Sequence, residues 1–162
     1  MPKTHAAPGT NLLENWRRCK NVPGGRWLFS KMVGWMAPYT GTIGAKVEEL
    51  RPGFVKVTLR DRRAVRNHLN SIHAIALINL GEVASGLAML TALPPGVRGI
   101  VTHIEMDYLK KARGKLTATS TVDVPSDIST DTELDITAQI HNADGELVAR
   151  AGVRWKLSPP KD

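Results

Sequence analysis

One stretch of the chain, residues 72–91, limits the possible folds more than any other. It has the length of a helix, its only charged side chain is Glu82, and apolar or small residues fill most of its other positions. A helix that is apolar all round is buried in protein or in a membrane. An acid near the middle of a membrane span costs about 2.5 to 3.5 kcal/mol on insertion scales. The stretch therefore predicts a helix inside a protein core, and no transmembrane segment.

Segments on both sides of this helix alternate between apolar and polar residues, as half-buried strands do. Residues 55–60 alternate before the helix, and the pattern returns in four runs between residues 98 and 155. The order of elements is thus two strands, one long helix and four strands. An antiparallel sheet that must bury one face against a fully apolar helix does so most simply by curving around it. We therefore expect an α+β protein of the hot-dog type, a curved antiparallel sheet wrapped around one long central helix.

The amino-terminal part has helical spacing over residues 12–20 and 27–36, separated by Pro23, Gly24 and Gly25. We interpret residues 1–40 as an N-terminal helical segment packed on a hot-dog domain of residues 41–158, rather than as helices lying on a membrane surface. Residues 1–10 are polar and predict a frayed terminus, not a signal peptide. The single Cys19 leaves no intrachain disulfide to form, and a cytoplasmic location is the expectation.

The net charge of +7 is unevenly distributed, because residues 1–66 carry +9 and the rest carry −2. Such a bias favours an anionic partner, which is a nucleic acid, a lipid surface or a phosphate-bearing small ligand. The chain has no recognisable nucleic-acid motif, so we predict no nucleic-acid binding. The two open edges of the expected sheet favour pairing with further copies, as a homodimer or a dimer of dimers.

Most of the chemically useful side chains lie at the start of the long helix and along it. Asn67, His68, Asn70 and His73 precede the helix, and Glu82 follows His73 by about 13.5 Å of helical rise. These two ends cannot meet within one chain, whereas a dimer can bring one copy's loop to the other copy's Glu82.

A carboxylate in apolar surroundings has a raised pKa unless polar neighbours compensate, which suits a general base near neutral pH. Asn79 and Ser85 have the spacing to give such help. The alternative is a structural acid paired with Arg or Lys from a strand.

Simpler roles remain open for the loop before the helix. Turn formation or helix capping explains Asn67 and Asn70, and on spacing alone this explanation is favoured. The unpaired N–H groups of the first helical turn can hold an oxyanion. The spacing of His68 and His73 is poor for a metal site, and so is the set His103, Glu105 and Asp107. No metal is therefore predicted.

The stretch from Asn67 to Glu82 resembles the signature of hot-dog acyl-CoA thioesterases of the phenylacetyl-CoA type. In that signature an Asn precedes a His-Gly-Gly helix start and an acid follows on the helix; Asn67, His73 and Glu82 match it. The chain is most similar to an uncharacterised branch of the superfamily. The resemblance implies hydrolysis of an acyl-CoA thioester at a dimer interface, with coenzyme A entering only as part of the substrate and no other cofactor.

The resemblance also implies roles for individual residues. Glu82 activates water or attacks the thioester carbonyl, Asn67 orients the water or the carboxylate, and the Ala74 N–H stabilises the oxyanion at the His73 helix start. The residues expected to contact the substrate are His68, Asn70, Ile75, Asn79, Arg62, Arg63, Arg66, Lys110 and Arg113, of which the cations would hold the coenzyme A phosphates.

Two positions depart from the signature. Ala74 and Ile75 replace the Gly-Gly pair, and Asn70 replaces the Gly before the His. The bulk of Ile75, where an acyl carbonyl would approach, either narrows the choice of substrate or marks a protein that binds acyl groups without hydrolysing them. A non-catalytic acyl-CoA-binding protein is therefore the second hypothesis.

Overall fold

The computed structural model describes Ala7 and residues 9–160, and these residues form four α-helices, one short 3-10 helix and six strands. The helices are α1 (Thr10–Cys19), α2 (Gly25–Met36), α3 (Pro38–Gly41) and α4 (Ala74–Ala92), and the 3-10 turn is Arg63–Val65. The strands are β1 (Lys46–Arg51), β2 (Phe54–Leu59), β3 (Arg98–Tyr108), β4 (Leu116–Thr121), β5 (Thr132–His141) and β6 (Leu147–Ser158).

All six strands form one antiparallel sheet in the order β1-β2-β4-β5-β6-β3. The turn between β1 and β2 requires a glycine, because Gly53 has φ 70° and an added Cβ would lie 2.4 Å from the Val122 carbonyl oxygen. Strands β1 and β3 are the two edges of the sheet. Strand β1 contacts the N-terminal helices α1 and α2, whereas the free side of β3 is covered by no other element among the described residues.

Helix α4 contacts every strand of the sheet, so the sheet wraps around it. The helix is long and apolar enough to cross a membrane, but 72% of its apolar window is buried inside the protein. The sheet and the other elements therefore supply the apolar surroundings that the sequence demands. The predicted hot-dog fold is confirmed, and the central helix runs over Ala74–Ala92 instead of the predicted residues 72–91.

The N-terminal helices pack against the same hydrophobic core as the sheet. Leu12, Trp16 and Phe29 are buried in it, and the rings of Trp16 and Phe29 meet edge to face at 5.2 Å. The opposite surface of α2 exposes Trp27 and Trp35, which are 59% and 75% accessible. The expected frayed terminus lies mostly outside the described residues, and α1 begins at Thr10.

Candidate active site

The loop before α4 is organised by the side chain of Asn67. Its Oδ1 accepts hydrogen bonds from the N–H groups of Leu69 and Ser71, at 2.9 and 3.2 Å, and from the Ser71 hydroxyl at 3.2 Å. The amide Nδ2 donates to no group among the described residues and is left for another ligand. Asn67 therefore forms the loop through its oxygen, as turn chemistry predicts, and keeps one donor free.

Asn70 has φ 54°, the left-handed conformation that glycine adopts most easily and that asparagine tolerates better than other residues. It stands at the position where the thioesterase signature has glycine. Asn70 therefore adopts a conformation that a glycine at this position could also adopt.

His73 caps helix α4. Its Nδ1 accepts the N–H of Ile75 at 3.1 Å, and its own N–H donates to the Val65 carbonyl at 2.8 Å. Within the part of the chain that the structure describes, the Ala74 N–H has no acceptor. This donor at the positive end of the helix dipole can receive an oxyanion. The Ile75 side chain beside it is half exposed.

Glu82 lies two turns further along α4, about 12 Å from Ala74 by helical rise. Its side chain is partly buried, and among the described residues its carboxylate has neither a hydrogen-bond donor nor a cationic partner. Burial raises the pKa of Glu82 above its ordinary value. The ion pair with Arg or Lys of a strand that a structural acid would form is therefore not present among the described residues.

The expected help from Asn79 and Ser85 is also wrong. The Asn79 amide donates to the carbonyl of Tyr39 in α3 at 3.2 Å, and the Ser85 hydroxyl donates to the backbone carbonyl of Glu82 at 3.0 Å. Both side chains therefore satisfy backbone oxygens and leave the carboxylate uncompensated. An acid with a raised pKa and no compensating partner is a candidate for proton transfer.

Three groups near the site were not predicted from the sequence. The Tyr39 carbonyl brings α3 against α4, and the Tyr108 hydroxyl donates to the Ala74 carbonyl at 3.1 Å. Trp155 of β6 is buried next to Glu82, with both side chains lying against Gly86. Of the elements that carry these groups, α3 has a signal in the sequence, because Pro38 is at its start and proline is favoured as the first residue of a helix.

A groove of about 1620 Å³ runs beside the site between α2, α3, β1, β2 and the segment before α4. Val83, the residue after Glu82, is part of its wall. Cations outnumber acids in the lining, where Glu48 and Asp61 face the six side chains of Lys31, Lys46, Arg60, Arg62, Arg66 and Lys115. Both acids already have partners, since Lys46 and Arg26 bind Glu48 and Arg66 binds Asp61. The groove is therefore positively charged.

The predicted phosphate-binding cations separate into two groups. Arg62 and Arg66 line the groove, where Arg62 also donates to the Thr42 and Ile43 carbonyls. Arg113 donates to the Asn70 and Leu69 carbonyls, and Lys110 pairs with Glu146. Arg63 and His68 are exposed. Across the described residues, no three His, Cys, Asp or Glu side chains lie close enough together to hold a metal ion.

Solved structures similar to this one cover most of the chain. A structural-genomics target named APC5556 is 30% identical over 92% of this chain and 99% of its own, with a TM-score of 0.78. A probable thioesterase of unknown function from Pseudomonas aeruginosa and a thioesterase family protein from Silicibacter pomeroyi are each 20% identical over 80% of this chain. They are covered over 92% and 96% of their lengths, with TM-scores of 0.71 and 0.66. At that identity the likeness shows the fold alone.

No curated protein matches the chain. A family model does match, over residues 25–157, and it spans α2 and the whole sheet with its central helix. The chain therefore belongs to the family described as Domain of unknown function (DUF4442), and its fold is the hot-dog fold seen in proteins named thioesterases.

Proposed function

We propose that this protein hydrolyses acyl-CoA thioesters, with Glu82 as the general base. The observation that carries the proposal is the state of Glu82, a partly buried carboxylate with a raised pKa and, among the described residues, no partner for its charge. Similar structures named thioesterases support the same class of reaction. In the reaction Glu82 takes a proton from water, the oxygen of that water attacks the thioester carbonyl, and the C–S bond breaks. The coenzyme A thiolate leaves and takes up a proton.

The proposed site is shared between two protomers. Strand β3 is an open edge, and its Ile100 and Tyr108 side chains are 65% and 48% exposed. Pairing two such edges would cover the apolar surface and close the sheet of each copy. It would also bring Asn67 and the Ala74 N–H of the partner subunit toward Glu82, which the loop of the same chain cannot approach. The free Asn67 amide and the free Ala74 N–H then hold the water and the oxyanion.

Coenzyme A explains the positive groove. Lys31, Arg60 and Lys115 line it and form no ion pair with the acids of the described residues. Phosphate groups of the nucleotide would neutralise these cations, and Val83, the neighbour of Glu82 in α4, is part of the wall of the same groove. Such a substrate is consistent with the cytoplasmic location that we propose for the protein.

The decisive experiment measures thiol release from short, long and aromatic acyl-CoAs by wild type, Glu82→Gln and Glu133→Gln. Glu133 is an exposed acid on β5 and serves as the matched control. Loss of a general base costs about a hundred- to ten-thousand-fold in rate, so we expect Glu82→Gln to lose that much and Glu133→Gln to stay near wild type. Turnover by Glu82→Gln at the wild-type rate would contradict the proposal.

The assay also distinguishes the second candidate. Ile75 places a branched side chain beside the Ala74 N–H, which favours binding without hydrolysis. Wild type that binds an acyl-CoA and hydrolyses none of the panel would be an acyl-CoA-binding protein. Water labelled with oxygen-18 separates the two catalytic routes under single-turnover conditions. Label in the product acid and none in Glu82 supports the general base, whereas label that enters Glu82 in the first turnover, and reaches the product acid only in later turnovers, supports covalent attack.

A further inference from the structure

Trp155 carries the buried side-chain donor that the fold leaves unused. The residue lies on β6 and is 5% exposed, and its indole Nε1 has no hydrogen-bond partner among the described residues. An unpaired buried donor costs roughly 1 to 3 kcal/mol, so such a group in a native fold requires an explanation. Trp155 is one of four tryptophans, and Trp27 and Trp35 are exposed to solvent.

The indole of Trp155 lies between two glycines. At Gly99 of β3, an added Cβ would meet ring atoms Cε3 and Cζ3 at 3.2 and 3.5 Å. At Gly86 of α4, an added Cβ would meet the opposite edge of the ring, with Cζ2 at 3.7 Å and Cη2 at 3.9 Å. Cζ2 is two bonds away from Nε1. The edge that carries the unpaired N–H is therefore the edge that faces α4.

The Glu82 carboxylate reaches the same point from the helix. Its Oε1 lies 3.7 Å from the position of a Cβ on Gly86, the same distance as Trp155 Cζ2. Among the described residues, a donor without an acceptor and an acceptor without a donor thus both lie near Gly86. The missing side chain of Gly86 leaves room beside them, either for a small rotation of the flexible Glu82 side chain or for one water molecule. A water there would have two polar partners, the minimum that an ordered buried water needs.

We infer that Trp155 is the positioning residue of Glu82, and that its indole N–H donates to the carboxylate directly or through one bound water. The inference deepens the proposed function and rests on it as far as catalysis is concerned. One carboxylate oxygen is held toward β6, and the other is left facing the cleft, where it takes the proton from the attacking water.

Glu82 is the ionisable group on the inner face of the sheet beside this indole. The neighbouring charged residues of β6 alternate with buried residues, those of β3 alternate with partly buried ones, and both sets lie on the outer face. There Arg154 pairs with Asp135, Lys156 pairs with Asp131, and His103 lies near Glu105. Tyr108 is turned to the Ala74 carbonyl, and α3 offers Tyr39 through its backbone oxygen. A pH-dependent change in the surroundings of the indole N–H therefore reports the titration of Glu82.

The first test needs no turnover. The indole N–H resonance of Trp155 is assigned in 15N-labelled protein by its absence from Trp155→Phe, and is then followed across pH. We expect it to shift with a single titration in wild type and to lose that titration in Glu82→Gln. A resonance that does not move with pH, or that moves equally in Glu82→Gln, overturns the inference.

Gly86→Ala provides a second variant that keeps the tryptophan. The new methyl group fits at ordinary contact distance, and alanine favours a helix over glycine, so the fold is retained. The methyl group fills the space between the two polar groups. The indole resonance should therefore stop following the titration of Glu82, and continued coupling would count against the inference.

The kinetic test asks whether Trp155 affects the charge state of Glu82. We expect Trp155→Phe to lower kcat about tenfold with little change in KM, and to move the pH midpoint of kcat upward, because the ionised carboxylate loses a donor. The control is Trp16→Phe, a buried tryptophan of α1 that packs on Phe29. It lowers stability without moving the midpoint.

An unchanged midpoint in Trp155→Phe contradicts the inference. Absence of turnover in wild type contradicts the proposed function alone, since coupling of the indole to Glu82 is measured without substrate.

Discussion

At the scale of single residues, Glu82 is expected to reduce the stability of the fold that carries it. Its pKa in the folded protein lies above the ordinary value of 4.5, because burial disfavours the charge. Between those two pKa values the folded state binds more protons than the unfolded state, so the free energy of unfolding falls as pH rises through that window. The full cost is present at pH values above the raised pKa. We expect Glu82→Gln to have a free energy of unfolding higher than that of wild type by on the order of 1 kcal/mol. The variant should therefore unfold at a higher denaturant concentration.

The pH dependence tests the cause of this stabilisation. Below the ordinary pKa of glutamate, the carboxyl is protonated in both states and the two proteins should have nearly the same free energy of unfolding. Wild-type turnover should rise with pH through the raised pKa of Glu82, because the base acts in its ionised form. Equilibrium unfolding at pH 4 and pH 7 measures the first effect. A variant less stable than wild type at pH 7 would mean that favourable contacts of the carboxylate outweigh the cost of its burial.

Residues differ in how far the sequence reveals them, and the difference is physical. Glu82 can be identified from the sequence because it is the one charged residue in an apolar helix. Trp155 cannot, since its unpaired N–H results from the packing of β3, β6 and α4 around two glycines. The helical spacing of Asn79 from Glu82 predicts support for the carboxylate. The amide instead donates to the Tyr39 carbonyl of α3, a helix that is absent from the predicted elements.

At the scale of elements, the start of α4 has a structural role, the capping of the helix, and a proposed chemical role, the binding of an oxyanion, and the two can be tested separately. His73 caps the helix through Nδ1, so His73→Ala should lower the free energy of unfolding by about 1 kcal/mol. Aspartate caps helices well, and His73→Asp should therefore stay close to wild type in stability. Its carboxylate at the helix start would repel an oxyanion near the Ala74 N–H, and turnover should fall at least tenfold. Denaturant unfolding and thiol release are compared for the two variants.

Two results would contradict this view of the helix start. His73→Asp with wild-type turnover would show that no negative charge develops there. His73→Ala with wild-type stability would show that the cap is dispensable.

The long elements were predictable and the short ones were not. Helix α4 and the strands have enough residues for their periodicity to be read, and the predicted helix over residues 72–91 agrees with α4 within two residues at each end. Helix α3 has four residues and no buried side chain, so it carries no apolar pattern. It exists because Gly34 and Gly41 let α2 and α3 approach closely, with an added Cβ on Gly41 only 2.9 Å from the Gly34 Cα. Such tertiary contacts are outside what a sequence pattern contains.

At the scale of the whole molecule, one chain contains every group of the proposed site, but the groups are too far apart to act together. The free donors of Asn67 and Ala74 lie at one end of α4, and the Glu82 carboxylate lies two turns away. The rigid helix fixes that separation. The spacing in the sequence predicts this separation of the helix start from Glu82, whereas only the strand order identifies β3 as an edge of the sheet. A second copy paired at β3 is the arrangement that would make the site complete.

Mixed dimers test whether the site is shared. Glu82→Gln removes the base and His73→Asp disables the helix start, and each variant alone should have at most about a tenth of the wild-type turnover. If Glu82 of one protomer works with the helix start of the partner, a dimer of the two variants contains one site with both parts intact and one with both lost. Differently tagged subunits, coexpressed and purified through both tags, should then recover up to half of the wild-type activity per dimer. A site contained within one chain would give no recovery, because every chain carries one defect. Sedimentation of wild type at twice the 17.7 kDa chain mass is the accompanying measurement, and a monomer would exclude the shared site directly.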